Sequence, residues 1–496
     1  MSITSSIATS TLILLGSKAE PCRPLSYKQY IWDSRPLDVH RWSDHPNAKG
    51  LIDQLWSEFT YMFPNYLSSP SKPGPKAKAS NKKNFKVLIL DLYVCWSESP
   101  TQWLGVHMSP KDYERVNSRY NALFISTIII DMIKDMETKG WIEKEPGVTN
   151  PNGQGYVSRI RVTETLIRRF IATSLKKNDC PVHPDKEVII LTKRDPDLEN
   201  GKLKKAPRIQ YEDTPETIKM RTELKAYNAL LASTQIDLGP DSPEYLVQTN
   251  KKGKEVRIKI ADSRKTVERI FSRGSFEFHG RFYGGFWQRL NEENRRLIHI
   301  DGKPTVEVDF KALHVKLAYA ITNRFSVYEN DPYIIEWPQS LNHIPEYTRR
   351  GIVKSLILFG INAKSLNSAY RSFRQDCKNG SLEKRLTDKQ LLLIIDSFLR
   401  YHPFMKHCLG ADMGISLMNY DGKITAEIMH LLTKLNVPVL TIHDSYIVQR
   451  EQFTNLRSAM AMAAIRIAGR DLHAVQDDII ANRCWGYNTY LVTEAS

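Results

Sequence analysis

The stretch KPTVEVDFKALHVKLAYAIT, residues 303–322, changes its period part-way along. Thr305, Val306, Glu307 and Val308 alternate as a strand does. Beyond Phe310, the residues Leu313, Leu317, Ala320 and Ile321 recur at helical spacing. Asp309 is therefore expected at the C-terminal end of a strand, where the chain turns into a helix. A second carboxylate, Asp444, interrupts TIHDSY, residues 441–446, between two apolar strand-like runs. Two carboxylates on neighbouring strand ends can hold two Mg²⁺ ions about 3.5–4 Å apart, the arrangement that promotes in-line attack of a hydroxyl on phosphorus. Taken separately, His443-Asp444-Ser445 reads better as an ordinary turn, and Asp309 with its context turns the reading towards a metal ligand.

Between the two acids lies PEYTRRGIVKSLILFGINAKSLNSAYRSF, residues 345–373. Pro345 and Glu346 suit a first helical turn. Arg350 and Lys354 then fall on one helix face. A cationic row beside a metal pair would neutralise the β and γ oxygens of a triphosphate. Outside that context the same spacing describes a solvated helix face.

The chain has 496 residues, room for two or three domains. Its net charge is +15 and its pI about 9.3, so the surface favours polyanions, nucleic acid foremost. The six cysteines are scattered without CxxC or CxxH spacing, so neither a disulfide framework nor a zinc site is indicated, and a cytoplasmic protein is expected. The apolar run STLILLG is too short to span a bilayer, and no membrane partner is expected.

Five segments are expected: a small N-terminal region at 1–67, a basic Ser/Pro/Lys linker at 68–84, a module at 85–175, a connecting, thumb-like helical region at 176–255, and the motif-dense remainder, 256–496. Residues 109–143 carry a long helical pattern and 141–163 a hairpin pattern, an order that resembles a winged helix. Arg115, Asn117, Arg119 and Asn121 would open its recognition helix, with Arg159 and Arg161 on the wing. Residues 176–210 are polar and read as a loop or short hairpin. Asp213 or Thr214 would cap a helix that begins with Pro215 and Glu216.

The order of motifs in the C-terminal half resembles the palm and fingers of family-A DNA polymerases and their relatives, the phage-type single-subunit RNA polymerases, over about residues 265–490. VEVDFKALHVKLAYA is similar to the first catalytic motif. NDPYII, residues 330–335, resembles the short element that follows it. RRGIVKSLILFG resembles the nucleotide-gripping fingers helix. NYDGKITAEIMHLL, residues 419–432, resembles the helix before the last motif, and TIHDSY is similar to that motif. The resemblance implies an α+β right-hand-like fold. It implies Asp309, Asp444 and the Phe310 carbonyl as ligands of two Mg²⁺ ions, with Mn²⁺ as a substitute. It assigns Arg350 and Lys354 to the triphosphate, His314 to the sugar, and Asn419 and His443 to primer–template. Upstream, FHGRFYGG, residues 278–285, would bring Arg281 to the template backbone.

The sequence departs from that pattern in the fingers. Asn362 stands where a tyrosine is usual, so Phe359 would supply nucleotide stacking, or the helix would contain a bulge. Ser445 and Arg281 match the RNA enzymes. The bulk of His314, five residues after Asp309, favours deoxynucleotides by excluding a 2′-hydroxyl. Asp135/Glu137 and Asp197/Glu199 lie in contexts that do not suit a proofreading exonuclease. GGFWQRLNEENRR, residues 284–296, offers aromatics and arginines to nucleic acid or, equally, to a domain rim. His402 and His407 read as core or surface histidines, and Asp396 as a structural acid in a buried helix. The expected activity is template-dependent nucleotidyl transfer, as a DNA polymerase acting on primer–template DNA and nucleoside triphosphates. The alternatives are an RNA polymerase or primase of the same fold, and a DNA-binding replication initiator or regulator with an inactive palm.

Overall fold

The computed structural model describes residues 34–67, 80–148, 155–195, 197–199, 202–204, 206–239, 243, 245–249, 255–260, 264–322, 331–472 and 474–476. It is mixed α and β with open sheets. Two compact units emerge, one from residues 1–68, 81–113 and 127–181, the other from 69–80, 114–126 and 182–496. The expected boundaries are corrected accordingly. The N-terminal region shares a unit with the segment after the linker, and residues 182–255 join the C-terminal half. The linker lies largely outside the described residues, but its last residues, from Asn81, already belong to a helix.

The first unit builds a four-stranded sheet from β1 (Ser34–Pro36), β2 (Trp103–Val106), β3 (Ile142–Glu145) and β4 (Ser158–Val162), in the order β1-β2-β4-β3. Helices α1 (Pro46–Met62), α2 (Asn81–Glu98), α3 (Ile128–Thr138) and α4 (Glu164–Ile171) accompany it. Its polar centre is Arg35, which forks onto the fully buried Asp91 at 2.8 and 2.9 Å. Such a pair holds only because each charge finds its partner in a low-dielectric interior.

The helix expected to begin near residue 109 begins at Ile128 instead. Asn121 accepts from the Ile125 N–H and donates to its carbonyl, each at 2.8 Å, and Phe124 adopts a left-handed φ of 58°. These local bonds outcompete helical pairing. The solvent face of α3 carries Asp131 and Lys134, paired with each other at 2.9 Å, so it is not cationic.

The second unit contains a sheet ordered β11-β12-β10-β9-β6, with β13 also on β10. Its strands are β6 (Ile236–Asp237), β9 (His299–Ile300), β10 (Lys303–Phe310), β11 (Leu440–Ile442), β12 (Ser445–Gln449) and β13 (Ala474–Gln476). The β9–β10 hairpin turns through Asp301 and Gly302, both at positive φ, the dipeptide that suits a two-residue hairpin. A second sheet joins β5 (Ile189–Leu191), β7 (Glu268–Ser272) and β8 (Ser275–Tyr283). The buried β5 was not expected in a polar segment. It is a three-residue apolar run, too short to show a period.

Helix α5 (Pro215–Ser233) starts as expected, with Thr214 capping the Thr217 N–H. Helices α6 (Leu313–Ile321), α7 (Glu346–Asn362), α8 (Leu366–Asp376), α9 (Asp388–Tyr401), α10 (Gly414–Lys434) and α11 (Phe453–Ala468) belong to this unit as well. Helix α9 is amphipathic rather than buried, since Leu392, Leu393 and Asp396 face solvent. Among the described residues, no helix is long and apolar enough to cross a membrane.

Candidate active site

The period change read at residue 309 is present in three dimensions. β10 ends at Phe310, Ala312 takes a left-handed φ of 55°, and α6 begins at Leu313. β10 and β12 pair antiparallel, with Asp309 opposite Ser445. The Phe310 N–H donates to the Asp444 carbonyl at 3.2 Å. Residues 309 and 445 are thus a non-hydrogen-bonded pair, the close kind, with Cα atoms about 4.5 Å apart in a regular ladder. Asp444 sits in the two-residue turn between β11 and β12, after His443 at φ 57°. The two aspartates therefore meet at one end of one sheet. Because N–H and C=O of a strand residue point to the same neighbour, the Phe310 carbonyl also lies on the Asp444 side of β10.

Alternation along β10 puts Glu307 on the face of Asp309, while Val306, Val308 and Phe310 fill the core. Glu307 accepts two bonds from Arg295, at 2.8 and 2.9 Å, and one from the Ser445 hydroxyl. This array locks the two catalytic-candidate strands side by side. The hairpin's outer strand is held by the Thr441 carbonyl, which accepts from the Trp287 indole at 3.1 Å and from Gln288 at 2.9 Å. So the aromatics Phe286 and Trp287 are core, and Arg295 is a buttress for Glu307.

A second layer lies behind Asp444. Arg281, on β8, donates through Nε to Asp421 at 2.5 Å and through Nη2 to His314 Nε2 at 3.0 Å. Asp421 is fully buried on α10, and burial raises its carboxyl, with Asp444 adding to the shift and Arg281 opposing it. Burial lowers His314, as does the charge of Arg281, while Asp444 pulls the other way. The close crossing of β8 and α10 requires two glycines. A Cβ on Gly422 would lie 2.2 Å from the Gly280 carbonyl, and Gly280 itself has φ +84°.

Several expected contacts are corrected by this packing. Arg281 serves a buried ion pair rather than a template phosphate. Asn419 is 1% exposed and donates to the Phe276 carbonyl at 2.9 Å, so it does not reach primer or template. Arg119 is held by Glu187 at 3.1 Å and Asp213 at 2.8 Å and stacks on Tyr211. Arg159 is fully buried, bonded to Glu145 at 2.6 Å with its guanidinium 4.5 Å from the centre of the Trp103 ring. Each of these arginines found an internal carboxylate that the sequence could not pair with it. His443 is exposed at the turn. His402 is buried and His407 exposed, as read.

Helix α7 runs unbroken from Glu346 to Asn362, without a bulge. Lys354 is exposed, and Arg350 is bonded to Asp331 at 2.6 Å. At 100° per residue, Phe359 lies on the far side of the helix from Arg350, in a pocket it lines with Phe373 and Ser355. The aromatic on the cationic face is Tyr347, 88% exposed. Its spacing, seven before Lys354, was visible in the sequence. Asp421 was likewise legible as a lone acid on an otherwise apolar helix face.

Among the described residues, no group of three or more His, Cys, Asp or Glu side chains is arranged to hold a metal by itself. The Asp309–Asp444 pair offers two carboxylates, the set that suits Mg²⁺, which keeps several waters and takes substrate phosphates for the rest. No protein-family model matches the chain, and no curated protein matches it.

Proposed function

We propose that the second unit is a template-dependent nucleotidyltransferase of the family-A polymerase kind, acting as a DNA polymerase. The observation that carries this reading is the β10–β12 register, with Asp309 opposite Ser445 and Asp444 in the adjoining turn. Asp309, Asp444 and the Phe310 carbonyl would hold two Mg²⁺ ions, which activate a primer 3′-hydroxyl and stabilise the departing pyrophosphate. Arg350 and Lys354 bind the triphosphate. For Arg350 this means exchanging Asp331 for a phosphate oxygen, so Asp331 keeps the guanidinium in place until substrate arrives. His314 restricts the sugar, and its ring favours deoxynucleotides over ribonucleotides.

One observation favours a second reading. Arg350 is already neutralised, as expected of a DNA-binding initiator with an inactive palm. Primer extension on DNA and RNA templates, with each nucleotide set and Mg²⁺, separates the two. We expect the wild type to extend with deoxynucleotides. Asp309→Asn and Asp444→Asn should each lose about a thousandfold in rate, equivalent to about 4 kcal/mol of barrier, while keeping primer–template affinity. A wild type that binds DNA and extends nothing leaves only the initiator. A ribonucleotide preference would instead assign an RNA polymerase or primase.

A further inference from the structure

Among the described residues, four arginines are buried: Arg35, Arg41, Arg159 and Arg269. Three of them meet carboxylates, Arg35 and Arg41 at Asp91 and Arg159 at Glu145. Arg269, on β7, is 4% exposed and forms no ion pair with any described residue. Its Nε donates to the Gly280 carbonyl at 2.9 Å, and its guanidinium lies 4.9 and 5.2 Å from the ring centres of Phe271 and Phe282. Neither Nη1 nor Nη2 has a hydrogen-bond partner among the described residues, and neither is sealed from solvent. Burial lowers the guanidinium to about 10, with the charge of Glu223 opposing, so it stays cationic at neutral pH. A buried cation without a bonded partner is costly, and its two free donors call for an acceptor from outside.

Arg269 lines a pocket whose apolar walls are Met220, Leu224, Phe282 and Met429, between α5, β8 and α10. Glu223 and His430 also line it, 3.4 Å apart, and Lys219 meets Glu223 at 3.9 Å. Even without His430, the cations Arg269 and Lys219 outnumber the one acid. We propose that this pocket binds a monocarboxylate on a short apolar stem, held by the Nη1–Nη2 edge of Arg269. A guanidinium fork matches the two oxygens of one carboxylate, and with Nε committed to Gly280 the Nη1–Nη2 edge is the one left. The cavity volume of about 20 Å³ is little more than the about 10–15 Å³ that one water needs, so it admits the carboxylate head while the stem lies along the apolar walls. A phosphate monoester would bring a third oxygen and a second negative charge towards Glu223. Because Arg269 holds the Gly280 carbonyl, an occupied pocket would brace the crossing of β8 and α10. This inference does not rest on the nucleotidyltransferase reading.

The test titrates the full chain with propionate, read by ligand-detected NMR and by thermal melts at constant ionic strength with chloride as the balancing salt. We expect a saturable signal and a Tm that rises with propionate. Arg269→Lys keeps the charge and loses the fork, and should weaken binding about tenfold, the size of one lost charge-assisted hydrogen bond. Ala426→Leu fills the pocket, which Ala426 also lines, and leaves the guanidinium in place. It should abolish the signal, and it decides the matter if Arg269→Lys does not fold. The tripeptide Gly-Gly-Ala, set beside its C-terminal amide, identifies the source. Tighter binding of the peptide than of propionate assigns a chain terminus, the reverse assigns a free acid, and the amide should not bind in either case. An amide that binds as well as the acid, or chloride or phosphate that raises Tm as much as propionate, overturns the carboxylate. Wild-type affinity in Arg269→Lys overturns the fork. The absence of a saturable propionate signal, or one unchanged by Ala426→Leu, overturns the site.

Discussion

Tyr347, Arg350 and Lys354 lie three and four residues apart on the solvent face of α7. Tyr347 is 88% exposed, with its ring open to solvent beside the two cations. Under the polymerase reading it supplies the base-stacking surface that Phe359, turned toward Phe373, does not. Tyr347→Ala should weaken nucleotide or single-strand binding about tenfold, within the range of a lost base–aromatic stack. Thermal stability should stay the same, because the ring buries almost nothing. Fluorescence titration beside a thermal melt checks both halves, and unchanged affinity would return Tyr347 to the ordinary surface. The same face shows how local pairing shapes availability. Lys354 is exposed while Arg350 is committed to Asp331.

At the scale of elements, the site depends on how closely β8 meets α10. Asp421 and Arg281 can pair at 2.5 Å only because Gly280 and Gly422 let backbone approach backbone. A methyl at Gly422 would meet the Gly280 carbonyl at 2.2 Å, so helix or strand must shift. Gly422→Ala should cost about 1–3 kcal/mol of stability by overpacking. It should also separate Arg281 from His314, lowering activity more than the loss of stability alone explains. Denaturant unfolding with m-values, set beside primer extension, distinguishes these effects. Gly351→Ala provides the control, since a Cβ there meets nothing within 4 Å.

At the scale of the molecule, buried histidines set the acid limb of stability. Burial lowers His402 to about 4, against an opposing hydrogen bond that its ring donates to the Pro332 carbonyl. The unfolded chain protonates near pH 6.5 and the folded chain resists until about pH 4. The stabilisation is full above pH 6.5 and is lost as the pH falls through this window. A shift of this size corresponds to about 3 kcal/mol. The shift at His314 has the same direction, whereas the buried Asp421 carboxyl, raised to about 6, opposes both over the same window, so the His402→Gln difference rather than the absolute fall carries the test. Calorimetry from pH 8 to pH 4 should show Tm falling through this window, and His402→Gln should flatten the fall. A His402→Gln profile parallel to the wild type would show that the histidine is not responsible.

The sequence by itself determined the elements around the catalytic candidates. The switch from a two-residue to a 3.6-residue period located the end of β10 and the start of α6, and Pro215 after Thr214 located the start of α5. These signals are local, because backbone geometry and capping act over a few residues. The sequence also put Arg350 and Lys354 on one face, since a helix fixes that from spacing alone. Only the tertiary structure decided which charged groups remain available. Arg119, Arg159 and Arg281 each pair with a carboxylate far away in the chain or across a strand pair, and Asn419 disappears beneath β8. A buried charge must find a partner, and which partner it finds depends on packing between segments that no local pattern encodes. The meeting of Asp309 and Asp444 is likewise a consequence of strand register, set by the whole sheet's need to bury Val306, Val308 and Tyr446 on one face.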